Sequence, residues 1–290
     1  MAQRYTGRQL GDRPDGRKIR TLPSVERMLP VLVRTRTAAE EHYRESIEVT
    51  QALAWLDGKS REGLSGIRMT HLAAAAFART VSRLPHLNRY IAGHRIFARY
   101  ELDVLVSGIG ETYSSNVKVR LSDNDTVTDV YHKINDSIES FRAGEHENAV
   151  GRVADFLMLL PRFLRRFTMQ VLRLCDYYGF LGRKLLFASP WHASLRLFDN
   201  EPAGLAANPL PLSNLGTNSV AISLGTPRTT VELDASAHLT THCWLDVDIA
   251  VDSRIATKAE IEKAILFFKR CLSEPHTLET APRQTADDVN

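Results

Sequence analysis

HLTTHCWLDVDIAVDSRIATKAEIEKAI, residues 238–265, carries the change of character on which the fold turns. Apolar and polar side chains alternate along 238–252, the period of a strand that buries one face. Leu239, Cys243, Leu245, Val247, Ile249 and Val251 share one face; His238, His242, Trp244, Asp246, Asp248 and Asp252 share the other. Asp252-Ser253-Arg254 interrupts the alternation, and a Lys/Glu-rich helix is expected from Thr257 to about residue 273. A histidine and several carboxylates on one face are groups suited to acid–base chemistry. The plainer expectation is a sheet face turned to solvent or to a subunit interface.

Outward from this junction the pattern stays mixed. MTHLAAAAFARTVSRL predicts a buried helix that ends before Pro85. DTVTDVYHKINDSIESFRAGE predicts a second helix behind an Asp/Thr cap. RIFARYELDVLVSGIGE and YSSNVKVRLS read as two strands of a hairpin or meander. In TAAEEHYRESIEVTQALAWLDGKSREG we expect a helix start, a strand at SIEVT, and a short helix ending near Gly58. Strands are also expected in WHASLRLF, SVAISLG and TVELDAS. Helices and strands without βαβ regularity predict a layered α/β sandwich. PRFLRRFTMQVLR, residues 161–173, sets four arginines beside Phe163, Leu164, Phe167 and Val171, and the expectation is the solvated face of a core helix rather than a membrane-surface element.

The 290 residues are 43% apolar and 24% charged, ordinary globular composition with material for a sizeable core. A net charge of +3 with interspersed signs gives no case for a nucleic-acid partner. Cys175, Cys243 and Cys271 are scattered, as expected of reduced thiols in the cytoplasm. No run approaches the roughly 20 apolar residues of a membrane span. No P-loop, GxSxG or HExxH occurs, GIG at 108–110 is too weak to use, and EHE at 145–147 lacks a second ligand at helical spacing, so no metal is expected. Three segments are expected: an extended arm, 1–22, reaching toward a neighbouring subunit; a main domain, 23–275; and a polar tail, 276–290.

A colinear series carries a resemblance. RPDGRKIRTLPSVERMLPVLVRTRTAAEEHY, PHLNRYIAGHRIFARYELDV, LPRFLRRFTMQVLRLCDYYGFLG, SPWHASLRLFDNEPAGL and NLGTNSVAISLG together resemble the catalytic domain of 2-oxo-acid dehydrogenase acyltransferases, in the chloramphenicol acetyltransferase-like superfamily. The resemblance spans about residues 12–275. It implies an α/β fold with a mixed-sheet sandwich flanked by helices, a homotrimer, and a site between subunits. There a histidine of an HxxxDG motif acts as base toward an acyl thioester, a motif Asp pairs with an N-terminal arginine, and a hydroxyl from the facing subunit binds the oxyanion.

The chain departs from that pattern at its working positions. In DSRIATK, residues 252–258, Asp252 and Arg254 match the flanks, but Ser253 stands at the His position, Thr257 at the Asp position and Lys258 at the Gly position. On the facing side, where relatives often read Thr-Asn-x-Gly, this chain has Phe198, Asp199, Asn200 and Glu201. Arg36 matches the N-terminal arginine, with Thr257 in place of its carboxylate partner. A serine hydroxyl cannot replace imidazole as a base near neutral pH.

The reading placed first is a freestanding acyltransferase with an altered site, acting on a coenzyme A or carrier-bound thioester and a small-molecule acceptor in biosynthesis, with His242, Asp248, Asp252 or Asp199 as replacement base. No lipoyl domain or Ala/Pro linker is seen ahead of the domain, and no tightly bound cofactor is expected. Arg36, Phe198, Asn200 and Arg254 are the candidate substrate or interface contacts. The alternative is a noncatalytic protein that binds a ligand between subunits or supports an active paralogue in a heteromer. An acyl-carrier protein is a further candidate partner.

Overall fold

The structure is a computed structural model and describes residues 9–107, 116–143, 158–233, 239–282 and 284–289. GIG at 108–110, EHE at 145–147 and His238 lie outside the described residues.

The alternating stretch forms β10 (Leu239–Asp252), the longest described strand. It pairs antiparallel with β2 (Glu40–Glu48), β8 (Val220–Leu224) and β9 (Arg228–Leu233). Beyond β8, the parallel strands β7 (Leu195–Asp199) and β5 (Leu102–Ser107) follow, and β6 (Asn116–Leu121) closes the edge antiparallel to β5. The main sheet is therefore mixed, ordered β2-β10-β8-β7-β5-β6 with β9 beside the start of β10. A smaller antiparallel sheet joins β1 (Gly16–Lys18), β4 (Arg95–Arg99) and β3 (Arg89–Ala92). β1 thus adds the second half of the expected arm to the chain's own sheet.

Among the described residues seven α-helices accompany these sheets: α1 (Ser24–Leu32), α2 (Thr50–Arg61), α3 (Met69–Arg83), α4 (Val127–Arg142), α5 (Arg162–Tyr178), α6 (Arg183–Ala188) and α7 (Lys258–Ser273). Leu245, Val247, Ile249 and Val251 on the apolar face of β10 join one core with Phe77 of α3, Ile134 of α4, and Ile261 and Phe268 of α7. Each fully buried aliphatic or aromatic side chain of this kind contributes about 1.5–3 kcal/mol. Leu278 is buried beyond α7, and the Trp55 indole donates to Glu279, so the chain past residue 275 packs back on the domain.

Four local expectations are corrected. EEHYRES is strand β2, not a helix start, because Glu40, His42, Arg44 and Ser46 alternate against β10 at the sheet edge. α2 runs through Gly58 to Arg61. RIFARYELDVLVS divides into β4 and β5, which belong to different sheets, while β5 and β6 do pair as a meander. α5 buries no residue, and Phe163, Phe167 and Leu174 stand 74%, 61% and 56% exposed. It is not a core helix: Phe163, Phe167, Val171, Leu174 and Tyr178 recur at helical spacing along one exposed stripe.

Candidate active site and its arginine cavity

The site region lies where β10 ends against the start of β2. The pairing Asp252↔Glu40 closes the ladder, and the backbone N–H and hydroxyl of Ser253 both donate to the Ala39 carbonyl, at 2.9 and 2.8 Å. The serine proton is therefore directed at backbone. Thr257 is the N-cap of α7: its N–H and hydroxyl donate to the Glu260 carboxylate, each at 2.8 Å. Burial raises the Glu260 pKa, but the Thr257 bonds and the nearby His86 and Arg89 bring it below its ordinary value. Lys258 opens the helix and is exposed. Ser253 and Thr257 hold the turn together, and nothing at these positions ionises as a base near neutral pH.

Asp252 is fully buried and accepts three bonds from Arg254, from its backbone N–H at 3.2 Å, Nε at 2.8 Å and Nη2 at 2.7 Å. Arg36 approaches the same carboxylate at 3.5 Å, so its acidic partner is Asp252 rather than the group at position 257. Arg36 also donates to the carbonyls of Ser213 and Ile91, and Arg254 to that of Val33. Burial lowers the Arg36 pKa, the Asp252 charge opposes that, and the Arg254 charge adds to it; the result is about 10, still cationic at neutral pH. A carboxylate clasped by two guanidiniums is a structural anchor, not an available base.

The other candidates separate. Asp199 accepts from Thr70 and from the Glu201 N–H, at 2.6 and 2.9 Å, and Asn200 donates to Ser223 and to the Leu224 carbonyl. Phe198 is half-buried beside Ser223 on β8. Because Leu224 pairs with both Asp199 and Val247, these residues stand six positions along the ladder from Ser253 and two strands across. At about 3.3 Å per residue and 4.8 Å per strand, that is a separation of roughly 20 Å. One chain does not bring the two halves together. His242 bonds Glu48 at 2.7 Å, which raises its pKa, but it stands eleven residues before Ser253 on β10.

The polar face of β10 is also split, correcting the expectation of a face turned wholly outward. His242 and Asp246 are open, whereas Asp248 and Asp252 are buried. Leu212, from the loop before β8, packs with Ala221 and Ala250 over the second half, and its N–H donates to Glu40.

His42 emerges beside Asp248 on this face. Its Nδ1 lies 2.8 Å from Asp248 and its Nε2 2.6 Å from Glu40, and Arg44 braces the second Asp248 oxygen at 3.1 Å. Partial burial lowers the His42 pKa, but the bonds and charges of Asp248 and Glu40 prevail and raise it. The ring is 30% exposed and pairs with Ala250, two positions from Asp252. The sequence signal was the alternation Glu40, His42, Arg44, hidden by reading that stretch as helical.

Adjoining the turn is a cavity of about 280 Å³ lined by Arg34, Arg36, Arg173, Arg254, His94 and Tyr177, with Asp176 and the 214–216 loop. Two glycines permit its walls. Gly93 has φ 54°, and a Cβ there would lie 2.7 Å from the Tyr177 carbonyl; Gly216 has φ 79°, and a Cβ would lie 2.1 Å from the Trp191 carbonyl.

The mixed sheet with helices packed on one face, and the strand that turns into α7 at this site, define the class: the chloramphenicol acetyltransferase-like acyltransferase fold. Within that class, the dihydrolipoamide acetyltransferase (E2p) of Azotobacter vinelandii has a TM-score of 0.57 at 12% identity, covering 90% of this chain and 94% of that one. The cubic core of a pyruvate dehydrogenase multienzyme complex gives the same values. A chloramphenicol acetyltransferase gives 0.52 at 10% identity, covering 89% of this chain and 98% of that one. At such identities these likenesses establish the fold. No protein-family model and no curated protein matches the sequence.

Among the described residues no helix is long and apolar enough to cross a membrane. No group of three or more His, Cys, Asp or Glu side chains there is arranged to hold a metal ion.

Proposed function

We propose that this chain is an acyltransferase with a displaced base, acting on a coenzyme A or carrier-bound thioester and a small amine or hydroxyl acceptor. The observation that carries this reading is the His42–Asp248 pair on the face of Asp252, with His42 two positions and Asp248 four positions up the ladder from it. A neutral imidazole has one N–H, so it cannot donate to both carboxylates. Asp248, buried and braced by Arg44, keeps the Nδ1 proton. Glu40 Oε1 then faces a lone pair, and the acceptor takes its place at Nε2 while Glu40 Oε2 keeps the Leu212 N–H. The acceptor gives its proton to Nε2 as it attacks the thioester carbonyl; the C–S bond breaks, and the imidazolium returns the proton to the leaving thiolate.

The site would form between copies of a homotrimer, as in the resemblance, because one chain leaves the Phe198–Asn200 side about 20 Å from Ser253. The likeness to a cubic core assembly also supports association. A cytoplasmic setting suits the reduced cysteines.

The test follows thiol release from acetyl-CoA with a panel of amines. Release above buffer is expected, lost by roughly 10²–10⁴-fold in His42→Gln and unchanged in Ser253→Ala. Because Asp248 and Glu40 raise the His42 pKa, the rate should rise with pH through a midpoint above the ordinary imidazole value of about 6.5. Release equal to buffer, or a His42→Gln variant as active as the parent, overturns this mechanism. The second reading, a noncatalytic ligand-binding member or heteromer subunit, would then stand; the structural use of Ser253 and Thr257 favours it.

A further inference from the structure

The cavity beside the altered turn carries more positive charge than its surroundings neutralise. Four guanidinium groups line it, those of Arg34, Arg36, Arg173 and Arg254. Two carboxylates serve them among the described residues. Asp252 is shared by Arg36 and Arg254, and Asp176 is engaged by Arg13 at 2.7 Å and His192 at 3.2 Å. Burial raises the Asp176 pKa, but His192 and Arg13 hold it down at about 2, so its charge is committed to them. Arg34 and Arg173 are exposed, and no carboxylate pairs with either among the described residues.

The buried members point the same way. Arg36 is 5% exposed, and its Nε faces Asp252 at 3.5 Å without a well-formed hydrogen bond, so the shared carboxylate only partly neutralises it. At the Gly93–His94 turn, His94 Nδ1 donates to the Pro30 carbonyl at 2.9 Å, which leaves Nε2 for another partner. α5 ends at this cavity, and its C-terminal carbonyls bring about half a negative charge, far short of four guanidiniums.

We propose that this cavity is a binding site for a phosphate monoester, with Arg34 and Arg173 closing over the dianion and Arg36 and Arg254 forming its floor. Planar guanidinium forks match phosphate oxygens and bind them bidentately. The cavity far exceeds the roughly 15 Å³ that admits one water, so it takes the ester's organic part as well as its phosphate. The inference goes beyond acyl transfer and stands without it, since its test reads binding alone.

The test titrates the full chain with inorganic phosphate and with glycerol 3-phosphate, by calorimetry and by thermal unfolding, against sodium chloride at matched ionic strength. Both phosphates should bind and raise the Tm, the ester more tightly. Arg34→Gln with Arg173→Gln should weaken binding at least tenfold while leaving the unliganded Tm within a degree or two, because these side chains are exposed and have no ion-pair partner among the described residues. Arg61→Gln, an exposed arginine on α2 paired with Asp57, should bind as the parent does. A Tm rise matched by chloride, or unweakened binding in the double variant, overturns the proposal.

Discussion

Removing the Asp252 carboxylate would leave Arg36 and Arg254 side by side in the interior, 5% and 4% exposed, with no other ion-pair partner among the described residues. Breaking a buried pair by deleting one member costs about 3–5 kcal/mol, because the charge left behind is uncompensated. Asp252→Ala should therefore lower the urea midpoint by that equivalent or prevent folding, and a midpoint within 1 kcal/mol of the parent would show that water replaces the carboxylate. Ser253→Ala loses one hydroxyl bond to a carbonyl that also accepts the residue-253 N–H, a change of about 0.5–1.5 kcal/mol. The contrast between neighbouring positions separates a structural anchor from a hydroxyl that helps hold the turn. Both flanks, Asp252 and Arg254, matched the motif in sequence. Their mutual clasp did not show there, because an interruption of the alternation marks a turn without saying which side chains the turn brings together.

α2 tests the element scale. Gly58 lies within the helix, at an ordinary negative φ, and a Cβ there would meet no atom within 4 Å. Glycine in a helix interior costs about 0.5–1 kcal/mol relative to alanine. Gly58→Ala should stabilise the protein by that amount in chemical denaturation, with no change in any binding measurement; a destabilised variant would mean that the helix ends where the glycine suggests. Long periodic elements were legible: α3, α4 and α7 and strands β8 and β10 follow from apolar spacing, which the core enforces. β2 was legible only at its end, in the SIE of SIEVT, because an edge strand is stabilised by one neighbour and tolerates Glu, His and Arg along its length. His42 was lost with it, since a residue's partners follow its strand register. α5 failed differently. Its amphipathic period was read correctly, but periodicity names an apolar stripe without saying what covers it.

At the scale of the whole molecule, sequence resemblance reached the fold across an identity of 10–12%, because layer order and the strand-to-helix junction survive where individual side chains do not. The candidate site is a separate matter, since side chains can change along a ladder without disturbing the sheet. The two halves that the resemblance assigns to one reaction centre stand roughly 20 Å apart in this chain, six residues and two strands from each other. A single copy cannot hold one small substrate against both, so the proposed chemistry requires association. α5 presents apolar side chains outward, as do Val25, Met28 and Leu32 of α1, and contiguous exposed apolar surface marks interaction sites. Sedimentation equilibrium should therefore return about three times the 32.6 kDa chain mass, and the thiol-release rate per chain should fall on dilution below the assembly constant. A species of single-chain mass at every concentration, with release still proportional to chain, would place the reacting groups within one copy. It would leave His42, rather than any pairing of the motif halves, as the whole of the catalytic machinery.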